Sequence, residues 1–178
     1  MTVKVVLVPE TPARAGGAHT GGAHADGTHA EGGERLRDDF ATVIGQAMGW
    51  PPMAGRTAAV LLLSERPMTV QQLQDELGAS AGSVSEMTRL LITNGVVHRF
   101  KPPGARHFAY EWRQDAWAGC LEHTLRQTTQ LRELAHNALR ENDEFAGLQR
   151  GRLRQMAAYY DFMVARLTLL LEDYRAEL

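Results

Sequence analysis

Apolar residues recur at every third or fourth position along most of the chain, and this spacing is typical of helices with one buried face. The first stripe ends near Gly49, because Pro51 disfavours a helical conformation at Trp50. A second helix, predicted over 54–63, is apolar nearly all round and should lie at the centre of a core. The residues of the first stripe are Leu36, Phe40, Val43, Ile44 and Ala47.

Two shorter helices follow and are separated by a tight turn. Thr69 and Gln72 have the spacing of a capping box, in which each side chain binds the backbone amide of the other residue at the start of a helix. Gly78 can adopt the left-handed conformation that ends a helix. Ser80 is the predicted N-cap of the next helix, and Ser83 begins a competing capping box one turn later.

The helix predicted over about 81–93 has two different faces. Val84, Met87 and Leu91 share one face at helical spacing and should point into the core. The opposite face carries small polar residues, which allow close approach to a DNA groove, and an arginine that can bind phosphate or a guanine edge. An ordinary amphipathic helix with a solvated face has the same pattern. The candidate DNA-binding residues of this region are Ser80, Gly82, Ser83, Ser85, Glu86 and Arg89.

Two strand-like runs, 96–101 and 106–112, come next and are joined by a Pro-Pro-Gly-Ala turn. Bulky residues at 108, 110 and 112 alternate onto one face, as in a β-hairpin. The stretch from Arg89 to Arg113 holds five Lys/Arg and one carboxylate, and this local excess of positive charge suits contact with the DNA backbone or minor groove. The basic candidates around the turn are Arg99, Lys101, Arg106 and His107.

Helix, helix, turn, helix, hairpin is the order of a winged helix-turn-helix, which places one helix in the DNA major groove. We therefore expect a mainly α fold with a small β-hairpin wing at about 97–111, plus long helices for dimerisation. A basic surface hairpin without a ligand is the alternative for the wing.

Two long amphipathic helices are predicted after residue 113, with a break between Asn142 and Gly147. Their apolar stripes run from Leu121 to Leu139 and from Leu153 to Tyr174. No further domain remains for these helices to cover, so their apolar faces suit a homodimer interface. A monomeric helical hairpin that packs on the preceding module is the alternative.

Composition narrows the class of protein. The formal net charge of −2 argues against general coating of nucleic acid but permits a local basic face. Cys120 is the only cysteine, which excludes an intrachain disulfide; a buried inert thiol is the default role and a redox sensor the alternative. No apolar run approaches the roughly 20 residues that span a bilayer. We expect a cytoplasmic protein without membrane contact.

The first 33 residues are of low complexity, with a loose repeat around three histidines. A glycine-rich segment with almost no large apolar residue cannot offset the entropy of ordering, so we expect a flexible extension. The alternative is a metal-binding tail, although a spacing of five does not align ligands on one helix face. The weak metal-ligand candidates are His19, His24 and His29.

No motif supports catalysis, so we expect neither an enzyme nor a cofactor. His123 and His136 are not at metal-ligand spacing and should be surface or interface residues. Aromatic residues at the boundary between the module and the C-terminal helices could line a pocket for a small-molecule effector, although core packing explains them equally well. The effector-pocket candidates are Trp50, Met53, Trp112 and Trp117.

The residues from Leu61 to Ser85, continuing through Arg89 and Asn94 to Arg99, resemble the winged-helix core of MarR-type transcriptional regulators. The preceding segment, Met48 to Arg56, resembles the GbsR-like branch. The resemblance implies a homodimer that binds a double-stranded DNA operator, usually as a repressor, and whose affinity for DNA a small ligand can change.

Two departures from that pattern bear on the DNA contacts. The usual wing carries an acidic residue two positions before its arginine, whereas here Gly104 precedes Arg106. Glu86 stands where many relatives have a basic or amide residue on the recognition helix. It could accept a hydrogen bond from cytosine N4, or it could lower the affinity for DNA.

The domain organisation expected from these patterns is an extension (1–33), a winged helix-turn-helix with its N-terminal helix (34–112) and a helical dimerisation region (113–178). The leading hypothesis is a homodimeric transcriptional regulator. The alternatives are a winged helix that binds protein rather than specific DNA, and a metal-handling protein that uses the histidine-rich extension.

Overall fold

The computed structural model describes residues 25–141 and 147–178, with side chains from residue 32 onward. Six helices and three short strands make up this part of the chain, which confirms the predicted mainly α fold with a small antiparallel sheet. In chain order they are α1 (Ala25–Met48), α2 (Pro52–Leu62), β1 (Met68–Thr69), α3 (Val70–Leu77), α4 (Ala81–Thr93), β2 (Val97–Phe100), β3 (Ala109–Trp112), α5 (Ala116–Glu141) and α6 (Leu148–Ala176).

Helix α1 differs from its prediction in two ways. It begins at Ala25 rather than Glu34 and so includes residues that the sequence assigned to the extension; adding residues to an existing helix costs far less than nucleating one. Its closest contact with α2 is made by the small residues Ala41, Gly45 and Gly55, and of the predicted apolar stripe Ile44 packs against the core. A Cβ atom at Gly55 would overlap the Ala41 carbonyl oxygen, so the two helices cross nearly backbone to backbone. Leu36 and Val43 from the stripe remain exposed.

The predicted helix caps are confirmed. The Gln72 backbone N–H donates to Thr69 Oγ1 at 3.3 Å, and the Thr69 N–H donates to Gln72 Oε1 at 2.8 Å. Gly78 ends α3 in the left-handed region, with φ of 60°. Of the two competing signals for the start of α4, Ser80 is the cap, because its hydroxyl accepts a hydrogen bond from the Ser83 N–H.

The sheet has three antiparallel strands in the order β1-β3-β2, where the sequence predicted a two-stranded hairpin. Strand β1 is only two residues long, too short for an alternating pattern, and pairs Met68 with Tyr110. In the β2–β3 pair, Val97 lies opposite Trp112 and Phe100 opposite Ala109. The wing turn is longer than predicted: β3 begins at Ala109, so Arg106 and His107 lie in the turn instead of a strand.

The core of the module is built around α2, as the nearly continuous apolar sequence of that helix predicted. Leu61 of α2, Leu73 of α3 and Leu91 of α4 are at most 1% exposed and pack into one cluster. The first turn of α5 joins this cluster through Ala116. The backbones of Gly95 and Gly119 also touch there, because a Cβ atom at either residue would overlap the carbonyl oxygen of the other. Helix α5 is thus anchored at the C-terminal end of α4.

Helices α5 and α6 pack against each other as a hairpin. Their buried residues include Thr128 and Ala135 of α5 and Ala157 and Leu171 of α6. The Nε2 atom of His136 in α5 lies 3.0 Å from Oδ1 of Asp161 in α6, within hydrogen-bond distance. Within the described ranges, no helix is long and apolar enough to cross a membrane.

Candidate nucleic-acid interface

The exposed face of α4 is the first part of the candidate interface. Gly82, Ser85, Glu86 and Arg89 are all exposed and lie three or four residues apart, so they share one side of the helix. Val84, Met87, Thr88 and Leu91 are buried on the opposite side, as predicted. The N-cap residue Ser80 is exposed and Ser83 is half-buried. The predicted contact face is therefore open to a large ligand along the length of α4.

A groove between α3, α4 and the wing forms the second part. It has a volume of about 600 Å³, and we call it the wing groove. Four predicted DNA-binding residues line it: Ser85 from α4, Arg99 from β2, and Arg106 and His107 from the wing turn. Its other lining residues are Thr69, Val70, Gln71, Gln74, Phe108 and Tyr110.

The α3 residues in this groove were not among the predicted DNA-binding residues. Gln71 and Gln74 are three residues apart on α3, and Gln71 is exposed while Gln74 is half-buried beside Leu77. The Gln71 amide donates to Asp75 Oδ1 at 3.0 Å, which fixes its orientation. The periodicity of α3 marked these positions only as solvent-facing, and a surface amide is not diagnostic by itself. The tertiary fold is what places them opposite the wing.

Several cations of the interface have no anionic partner. In the part of the chain that the structure describes, no ion pair involves Arg89, Arg99, Lys101 or Arg106. The guanidinium of Arg99 lies over the ring of Phe108, 3.7 Å from its centroid. Elsewhere, Arg37 pairs with Glu76 and Arg113 pairs with Asp115. The interface cations are therefore available to bind phosphates.

Two acidic groups lie close to these cations. Glu86 is exposed on the same side of α4 as Arg89, one turn away. Glu111, on β3, is paired with His98 at 3.4 Å across the hairpin. Because Glu111 lies on the side of the wing opposite Arg99, Glu86 is the acidic residue that a DNA ligand along α4 would meet.

The four effector-pocket candidates do not share one cavity in the structure. Trp50 lines a groove of about 440 Å³ between α1 and α2, whereas Trp112 lines a separate groove beside the start of α5. Trp50, Met53 and Trp112 also pack against the core of the module, and the rings of Trp112 and Trp117 meet edge to face at 5.7 Å. These aromatic residues therefore have the core-packing role that the sequence left open as an alternative. An effector site stays a prediction.

The remaining chemical candidates lie outside this interface. Burial lowers the pKa of His123, with a smaller contribution from Arg126, and burial raises the pKa of the Cys120 thiol. Among the described residues, no group of three or more His, Cys, Asp or Glu could hold a metal ion. His19, His24 and the side chain of His29 lie outside the described residues.

Comparison with known proteins finds similarity to transcriptional regulators. Residues 115–177 match the MmpR5-like MarR family of transcriptional regulators. The chain is 29% identical over 112 residues to the HTH-type transcriptional regulator MmpR5 of Mycobacterium tuberculosis, covering 62% of this chain and 68% of that protein. It is 27% identical over 85 residues to the putative HTH-type transcriptional regulator YvaV of Bacillus subtilis, covering 46% of this chain and 48% of that protein. The match thus spans about half the length of YvaV.

One solved structure shares the fold over most of the chain. The crystal structure of a transcriptional regulator superposes with a TM-score of 0.74 at 23% sequence identity, covering 82% of this chain and 99% of the other. The matched family model is of MarR-type transcriptional regulators, and both relatives are named as transcriptional regulators rather than enzymes. They do not distinguish the GbsR-like branch.

Proposed function

We propose that the chain is a homodimeric, DNA-binding transcriptional repressor in which α4 enters the major groove and the wing binds flanking backbone or the minor groove. One observation carries this proposal: the exposed face of α4 adjoins the wing groove, and the arginines of both lack ion-pair partners among the described residues. Phosphate contacts from the wing would set the position of the protein on the duplex, and α4 would read base edges.

The C-terminal helices support the dimer. Phe162 and Leu169 are two helical turns apart on α6 and are 58% and 50% exposed, on the side opposite Ala157 and Leu171. Large apolar side chains at this spacing on a helix that is already packed on its other side suit an interface between subunits. Two copies related by a two-fold axis would present two α4 helices to a palindromic operator.

The proposal extends to the branch of the family and to the control of DNA binding by a small ligand. The sequence from Met48 to Arg56 supports a GbsR-like regulator, and it leads into α2 beside the groove that Trp50 lines. A small molecule that binds at the boundary between the module and the C-terminal helices would favour one orientation of the module relative to these helices. The affinity for DNA would change with that orientation.

Arg89→Ala and Arg106→Ala test the proposed contacts, with DNA from upstream of the chain's own gene as the probe. Removing a base contact should weaken operator binding by about 10-fold or more, and removing a phosphate contact should lower the salt slope by about one. Arg154→Ala, at an exposed position of α6, removes the same charge far from α4 and should bind like the wild type. Fluorescence anisotropy at several salt concentrations, with unrelated competitor DNA, measures both quantities.

The results also separate the regulator from a protein-interaction winged helix. A regulator loses specific binding in both arginine variants but not in Arg154→Ala. Wild-type protein that prefers no upstream sequence over competitor DNA contradicts the proposal. Glu86→Gln sharpens the choice: if Glu86 only repels phosphate, the variant binds all DNA more tightly, and if it accepts from cytosine, discrimination at one base pair falls.

A further inference from the structure

We propose that Phe108 is a positioning residue for DNA binding: its ring holds the guanidinium of Arg99 in the wing groove while leaving the N–H donors of that group free for a phosphate. This inference rests on the proposed DNA-binding function and names a residue that carries no charge or hydrogen-bonding group of its own.

The register of the wing brings the two side chains together. Arg99 of β2 lies opposite Tyr110 of β3, and side chains two residues apart on a strand share a face. Phe108 precedes β3 by one residue, so it is the diagonal neighbour of Arg99 on the face that Tyr110 occupies. The guanidinium carbon lies 3.7 Å from the ring centroid, well within the distance at which a cation is attracted to an aromatic face.

The type of contact determines what remains available to a ligand. A carboxylate would bind the N–H groups along the edge of a guanidinium and so compete with phosphate. A ring contacts only the flat face of the guanidinium and leaves the edge donors unused. Among the described residues, Arg99 forms no ion pair, and Phe108 remains 43% exposed while it supports the cation.

The location of the pair connects it with the proposed DNA contact. Arg99 and Phe108 both line the wing groove, together with Gln71 and Gln74 of α3 and Ser85 of α4. A duplex strand that passes between α4 and the wing would meet the guanidinium there. Holding a long flexible side chain in place before binding reduces the entropy lost on complex formation.

The wing supplies a matched control at Phe100. Its ring stacks on His98 with centroids 5.4 Å apart and planes 12° apart. Phe100 and His98 are on the face of β2 opposite Arg99, because alternate residues of a strand point to opposite sides. Replacing Phe100 removes an aromatic ring from the same hairpin without touching the Arg99 contact.

A double-mutant cycle tests the proposal by anisotropy with the upstream DNA and with competitor DNA. Phe108→Leu should weaken binding by about two- to fivefold, the size of an exposed cation–π contact, while Phe108→Tyr should restore wild-type affinity. Phe100→Leu should bind like the wild type. Arg99→Ala should weaken binding and lower the salt slope by about one, and adding Phe108→Leu to Arg99→Ala should cause no further loss.

Each other outcome has a distinct meaning. A Phe108→Leu protein with wild-type affinity, or a loss that persists in the Arg99→Ala background, overturns the positioning role and, in the second case, makes Phe108 a direct contact. An equal loss in Phe100→Leu attributes the effect to stability of the hairpin and also overturns it. If the wild type itself shows no preference for the upstream DNA, the proposed function fails together with this inference.

Discussion

The winged-helix module and the α5–α6 hairpin bury their apolar residues very differently. The module encloses its largest aliphatic side chains, including Leu61, Leu73 and Leu91, within a single chain. Most residues buried between α5 and α6 are small, and Phe162 on the far side of α6 is more than half exposed. The core of the module, including Ala116 of α5, is therefore complete within one chain, whereas the hairpin has used only one of its two apolar sides.

This difference indicates where each region obtains its stability. A side chain that is already buried gains nothing from a second subunit, so the module should hold its fold in a monomer. The exposed apolar side of α6 would gain free energy at roughly 25 cal/mol for each Å² that a partner covers. Variants on the two sides of this division should consequently affect different properties of the protein.

The largest effect is expected at the exposed side of α6. Phe162→Glu would place a charge at the centre of the proposed subunit interface, where its burial costs more than Arg166, whose guanidinium lies 5.5 Å from the Phe162 ring centroid, can offset, so the dimer should dissociate. Operator affinity should fall by about 100-fold or more, because a single half-site forms only part of the contacts. Sedimentation equilibrium measures the mass, and anisotropy measures the binding.

Arg154→Gln is the control for this variant, since it changes the charge of α6 by the same amount at an exposed position outside the apolar side. It should remain dimeric. The module core of Phe162→Glu should still unfold cooperatively in urea. If the Phe162→Glu protein remains dimeric, the exposed apolar side of α6 is not the subunit interface. The proposed difference between the module and the hairpin would then fail.

A smaller effect is expected where the two regions meet. Gly119→Ala adds a methyl group that would overlap the Gly95 carbonyl oxygen, and Gly95 itself has φ of 78°, so it has little room to adjust. Separating the two backbones should lower the free energy of unfolding by about 1–3 kcal/mol, the usual cost of overpacking. Urea denaturation measures this change.

Gly151→Ala is the matched control for Gly119→Ala. Gly151 also lies in a helix, but nothing lies within 4 Å of an added Cβ atom. The substitution should raise stability by about 0.5–1 kcal/mol, because alanine favours a helix over glycine. If both variants change stability alike, the Gly95–Gly119 contact does not hold the regions together.

The smallest expected effect is on the pH dependence of stability, through His123 of α5. The pKa of His123 is lowered in the folded protein, so the unfolded chain takes up the proton first as the pH falls. Stability should therefore fall as the pH drops through the ordinary value of 6.5, and His123→Gln should remove part of that fall. Urea midpoints between pH 8 and pH 5 compare the two proteins; parallel curves would exclude a contribution from His123.

Local signals in the sequence predicted most of the module. The capping box at Thr69, the end of α3 at Gly78 and the buried side of α4 depend on residues close together in the chain, and the structure confirms them. The backbone crossing at Gly55 and the contact between Gly95 and Gly119 depend on distant segments, so no periodicity reveals them. Strand β1 is too short to produce a pattern.

The candidate site could be predicted only in part, for the same reason. Basic residues near the wing and the polar face of α4 were visible as local composition, and the structure leaves them exposed. The wing groove is formed by three elements from different parts of the chain, so Gln71 and Gln74 could not be assigned to it from sequence. Whether these residues bind DNA stays a prediction.

The contact between Gly95 and Gly119 holds the C-terminal end of α4 against α5, so a rotation of α4 about this contact moves its other end the most. Helix α4 has 13 residues and is therefore about 20 Å long, with the contact beyond its C-terminus and Ser80 at its far end. A rotation of roughly 10° about the Gly95–Gly119 contact moves the Ser80 end by about 3 Å, close to the rise of one base pair. In the proposed dimer, a small change in the angle between subunits would thus shift the Ser80 end of each α4 helix by about one base step.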